Sequence, residues 1–220
     1  DGGTTAGLVT SRDAIIGAEA LSDTAPAAMA PDDPENMARW SAEVRQAVLK
    51  AETLAALGYA GSEGQIGVFH LEADGGSATS APTARYTPLL DLTRPDPCDL
   101  RDQLPIVLAY AEQRPDRAAE IVSQVGFPTE YFASVAGLNA SRNPRTLELI
   151  ALAQQIGGTV AQRVKHALAV TRPDRFSAQL QPIIPTPGHG ALPSGHATEA
   201  FIVARLLIHL IGDRTLPELP

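Results

Sequence analysis

The sequence predicts a mainly α-helical protein, and three observations lead there. After Asn143 a stripe of Leu152, Ile156, Val160, Val164 and Leu168 recurs every four residues, the spacing that lines one face of a helix. Upstream of it, DLRDQLPIVLAYAEQ, PDRAAEIVSQVGF and PTEYFASVAGL are short helical patterns separated by Pro or Gly, as packed helices joined by tight turns are. Alternating strand patterns are sparse. With 220 residues and 44% hydrophobic side chains the chain can bury a core as one large domain or two small ones. A net charge of −8 argues against a general nucleic-acid binder, which needs clustered Lys and Arg for phosphate contacts. Any anion site must therefore be local.

Residues 1–33 mix Gly, Ala, Thr and Asp with short apolar pieces and read as an irregular arm. Residues 34–142 read as a helical region. In its first helix, DDPENMARWSAEVRQAVLKAETLAALG, Asp32 or Asp33 caps, Pro34 fits the first turn and Gly58 stops it. Met37, Trp40, Val44, Val48 and Leu49 recur at helical spacing, which assigns Trp40 to the core. The Gly-, Ser- and Ala-rich stretch 61–88 reads as a loop with one extended piece, IGVFHL, and its lone His70 as an ordinary structural residue. Residues 143–220 read as the first part of a helical bundle. Asn143 caps its long helix, Pro144 sits in the first turn, and Gly157-Gly158 either loosens the helix or permits close packing. The apolar run AFIVARLLIHLIG, broken by Arg205 and His209, is too short to span a bilayer and reads as a core helix.

Chemistry concentrates in two stretches. KHALAVTRP carries Lys165 and Arg172 seven residues apart; were the helix to persist, both cations would project from a similar face and could hold one anion. The competing reading is a solvated helix end, where basic residues complement the dipole. In GHGALPSGHATEAF, Ser194 is a natural helix cap, which leaves the amides of Gly195 and His196 among the free donors that favour an anion. Ser194 can donate its hydroxyl and His196 can move a proton at the same oxyanion. The competing reading here is a plain proline-bounded cap with a structural histidine.

Lys165-x6-Arg172-Pro173 followed by Pro193-Ser194-Gly195-His196 resembles the first two signature motifs of the superfamily that joins type-2 phosphatidic acid phosphatases, bacterial non-specific acid phosphatases and vanadium-dependent haloperoxidases. The likeness covers about residues 165–200. It implies a helical bundle holding phosphate or vanadate, with Lys165, Arg172, Ser194 and Gly195 on the anion and His196 as the acid–base residue. The family's third motif, an Arg followed six residues later by the phosphatase nucleophile or vanadium ligand, has no match in the 24 residues after His196; Val203 stands six before His209. The resemblance therefore implies that a C-terminal segment or a second chain completes the site. It also implies no vanadium ligand within these residues.

His189, seven before His196, reproduces a spacing typical of the family's bromoperoxidases. A second imidazole near bound vanadate could hydrogen-bond peroxide or halide, or tune the proton on His196; a polar loop histidine is the bland alternative. The 164 residues before Lys165 favour the haloperoxidase branch, because the family's small acid phosphatases carry less chain there. The expectation is vanadate-dependent oxidation of halide, bromide first, by hydrogen peroxide. The alternatives are an acid phosphatase with its histidine nucleophile elsewhere, and a non-catalytic oxyanion-binding homologue. Partners expected are peroxide, halide and the completing segment, without nucleic acid or membrane span; a homo-oligomer and a soluble, periplasmic or secreted location stay open.

Overall fold

The computed structural model describes residues 2–15, 30, 33–77 and 79–211. Residues 1–40 and 41–220 form two separate compact units, so the division falls seven residues after the expected end of the arm. The described part is mainly helical with one small sheet.

In the first unit, α1 (Gly2–Ile15) corrects the expectation of an irregular arm. Its backbone bonds are local and need no packing, and residues 2–12 are exposed; Thr10 Oγ1 donates to the Ala6 carbonyl one turn back (3.0 Å). Much of the remaining arm, including Asp32, lies outside the described residues. The helix α2 (Pro34–Ala38) starts with Asp33, whose carboxylate accepts from the Glu35 amide (2.9 Å), and with Pro34 in its first turn. The single helix expected over this region is two. Trp40, expected in the core, is 40% exposed at the break between them.

The second unit opens with α3 (Ala42–Ala55), capped by the Ser41 hydroxyl. The helix ends before Gly58, which is not its stop but part of β1 (Leu57–Ala60). A Cβ at Gly58 would come 2.8 Å from the Tyr86 ring, so the residue serves close approach rather than termination. An antiparallel meander follows, β1–β2–β3 in order, with β2 at Gln65–Asp74 and β3 at Thr83–Thr93. This sheet corrects the reading of residues 61–88 as a loop. Pro88 in β3 is tolerated because β3 is an edge strand and Pro88 pairs with Phe69 where the register shifts. On β2, Ile66 and Val68 alternate inward and are 3% and 4% exposed.

Four short helices come next: α4 (Pro97–Asp102), α5 (Leu104–Ala111), α6 (Arg114–Ser123) and α7 (Thr129–Ala136). Gly137 ends α7 at φ 63°, a left-handed cap that suits glycine. The longest element, α8 (Pro144–Leu168), organises the unit. Asn143 precedes it but its side chain does not cap it; Asn143 Oδ1 accepts from the Asn139 amide instead (3.1 Å). The C-terminal half of α8 packs on the sheet through Val164 and Leu168, joined by Val170 just beyond it, against Ile66 and Val68. Its N-terminal half packs Ile150 against Val203 and Leu207 of α9 (Gly195–Ile211). Arg45 of α3 reaches Glu148 of α8 through two bonds of 2.7 and 2.8 Å.

The helices α8 and α9 run antiparallel and meet at Gly157-Gly158, where a Cβ on Gly157 would lie 3.3 Å from Ile202 Cγ2. Of the two readings of this pair, close packing is the observed one. The expected core helix 200–212 is buried on one side only: Val203 and Leu207 are covered, whereas Phe201 is 74% exposed. No described helix is long and apolar enough to cross a membrane.

Candidate functional site

The two motifs meet because α8 stops early. It does not persist to Arg172; it ends at Leu168, where Ala169 turns left-handed (φ 48°) with its amide bonded to the Lys165 carbonyl (2.9 Å). The chain leaves the helix through Val170 in an extended path, and the Val170 carbonyl accepts from the Ala191 amide (2.9 Å). This single bond lays the loop before α9 alongside the loop after α8. Lys165 and Arg172 therefore share a target not by sharing a helix face but by reaching the same strip of backbone.

That strip is residues 189–191. Lys165, only 3% exposed, donates from Nζ to the carbonyls of Gly190 (3.1 Å) and Ala191 (3.2 Å). Arg172 donates from Nε to the His189 carbonyl (2.8 Å) and from Nη2 to His189 Nδ1 (3.0 Å). A guanidinium only donates, so Nδ1 accepts from it; the same nitrogen also lies 3.2 Å from the Gly190 carbonyl, which Arg172 Nη2 reaches as well at 3.5 Å. These contacts leave one N–H of the ammonium and the Nη1 pair of the guanidinium for a ligand. Burial pushes the Lys165 ammonium below its usual range; nearby Arg172 adds to the fall and Glu199 opposes it.

At the start of α9 the expected cap forms. Ser194 Oγ accepts from the Ala197 amide (3.2 Å) and its carbonyl accepts from the Thr198 amide (3.1 Å), so the hydroxyl proton stays available. The Gly195 and His196 amides have no partner among the described residues, as the first turn of a helix leaves them. The His196 ring reaches towards α6: a carbonyl can only accept, so Nε2–H donates to the Gln124 carbonyl (2.6 Å) and Nδ1 is left open.

All six residues singled out from the sequence, Lys165, Arg172, His189, Ser194, Gly195 and His196, line one cavity of about 710 Å³. Its donors are an ammonium, a guanidinium, a hydroxyl and two helix-start amides, a set that suits a tetrahedral oxyanion. Three prolines, Pro182, Pro185 and Pro187, form part of its wall. Arg114, at the start of α6, lines it too and donates to the Gln181 carbonyl, which ties α6 to that wall. His70 stays apart from the cavity, on β2 and 3.9 Å from Glu72; His209 lies exposed near the end of α9.

Sequence reasoning missed Glu199 and Arg114. Glu199 carried a usable signal, since it lies three residues after His196 and four after Gly195 and so shares their helix face. Arg114 carried none, because only the fold brings α6 there. Among the described residues no three His, Cys, Asp or Glu side chains gather as a metal site. Compared with models of known families, with curated proteins and with solved structures, the chain matches none.

Proposed function

We propose that the cavity binds a tetrahedral oxyanion, and that the chain belongs to a vanadium-dependent haloperoxidase with the helical bundle of that superfamily. Vanadate, held by Lys165, Arg172, Ser194 and Gly195, serves the oxidation of halide, bromide first, by hydrogen peroxide. One observation carries the reading: residues picked from two separate motifs line a single cavity whose free donors all favour a negative ligand. The vanadium-ligating histidine comes from outside the described residues in this reading.

When bound, vanadate supplies a Lewis-acid centre that activates peroxide. The chain's own residues do the rest. Lys165 and Arg172 draw charge from the bound oxygens, in a site where burial strengthens each contact. The Gly195 and His196 amides would hold an oxygen of the anion at the start of α9. His196, with Nε2 fixed on Gln124, has Nδ1 to take or give a proton. His189, oriented by Arg172, would present its ring to peroxide or halide.

The test is bromination of a dye by purified protein with hydrogen peroxide and bromide, run with and without added vanadate. Turnover that requires vanadate is the expected result. Hydrolysis of a phenyl phosphate without bromination would assign the site to the acid phosphatases instead. Oxyanion binding with neither activity would leave a non-catalytic binding protein.

A further inference from the structure

Glu199 is the only acid on α9 and faces the cavity that holds the free cation donors. Its place is fixed from behind, where α9 crosses the glycines of α8: a Cβ on Gly158 would sit 3.3 Å from Glu199 Oε1. Among the described residues it accepts no hydrogen bond and has no ion-pair partner. The charged and titratable groups facing the same space are Tyr110, Arg114, Lys165, Arg172, Asp174, His189 and His196. Burial holds the Glu199 carboxyl above the usual carboxylate range, and His196 and Lys165 only partly offset that.

An unpaired carboxylate in an anion site is unfavourable for most anions. Fully ionised sulfate presents only acceptors, so it meets Glu199 with like-charge repulsion and no proton between the two oxygens. Phosphate and vanadate still carry an O–H near neutral pH, and that O–H can donate to the carboxylate in a charge-assisted bond. One proton then serves both oxygens, whichever of them holds it, and no other bond changes.

Resting on the oxyanion reading above, we infer that Glu199 makes the cavity selective for oxyanions bearing an acidic proton, phosphate and vanadate among them, over fully ionised ones such as sulfate. Calorimetric titration of the full chain with sodium phosphate and with sodium sulfate tests this, using wild type and Glu199→Gln. At a pH near 8, wild type should bind phosphate at least about tenfold more tightly than sulfate, the worth of one charged hydrogen bond. Glu199→Gln should close most of that gap by strengthening sulfate. Acidifying towards about pH 5 should strengthen sulfate binding to wild type by more than to Glu199→Gln, because the gain from protonating the carboxyl exists only in wild type. Repeating the sulfate titration of both proteins in buffers of different ionisation enthalpy should show more proton uptake per anion in wild type than in Glu199→Gln, by up to about one proton. If wild type binds phosphate but the ratio is the same in Glu199→Gln, and sulfate brings no more proton uptake in wild type than in the variant, the selectivity role is overturned while the oxyanion site stands. If wild type binds neither anion, the oxyanion reading itself fails and takes this inference with it.

Discussion

Arg172 and His189 have separable jobs, although they touch. The guanidinium combines two free donors with a grip on the His189 backbone and ring, so its loss removes a ligand contact and loosens the loop together. Arg172→Ala should weaken vanadate or phosphate binding by about 10- to 100-fold, the range for one charge-assisted contact, measured by equilibrium dialysis. An unchanged affinity would remove Arg172 from the cradle. His189→Ala keeps the backbone carbonyl that Arg172 holds, so it should lower bromide turnover more than vanadate retention. Equal losses of both would make His189 a binding residue. That both residues line one cavity was legible in the sequence because each belongs to a local motif written in nearby residues. What the sequence hid was the means of convergence, since a left-handed Ala169 is not signalled by an alanine.

Ala169 and Gly137 form a natural pair at the scale of the element, for both end helices in the left-handed region, at φ 48° and 63°. Alanine there brings its Cβ against the following carbonyl, whereas glycine does not. A Cβ on Gly137 would meet no atom within 4 Å, so Gly137→Ala isolates the backbone term. It should destabilise by about 1 kcal/mol, and Ala169→Gly should stabilise by up to about 1 kcal/mol, read from urea unfolding midpoints. Opposite signs are the point of the comparison; a loss at both sites would mean that the Ala169 methyl packs. Helices were the legible elements, because apolar spacing and proline-bounded starts are properties of short windows. The sheet was not, because β3 carries Pro88 and eleven largely exposed residues, so neither alternation nor an apolar run marks it. Its stability depends on β2, whose Ile66 and Val68 are buried against a helix far along the chain.

Across the whole molecule, burial is concentrated along α8, and the outer helices of the second unit leave large apolar side chains open. Phe201 is 74% exposed, Tyr110 68%, Val122 61% and Val135 58%. Such residues contribute little to the stability of the isolated chain, so Phe201→Ser should shift its unfolding free energy by no more than about 0.5 kcal/mol. A loss of several times that in chemical denaturation would show that Phe201 is covered in the protein as it exists. The mainly helical class was readable from the composition of windows, but which helix faces are covered depends on packing that no window contains. One arrangement described above bears on how the cavity tolerates acid. The wall at 189–191 is fastened to α8 and its extension by cations gripping three peptide carbonyls, not carboxylates. A carboxylate lets go of its cation once protonated, but a peptide oxygen stays an acceptor throughout the working range of proteins. These three clasps have no titration point on the acid side, so the cavity can keep this wall at an acidity that dissolves ordinary ion pairs.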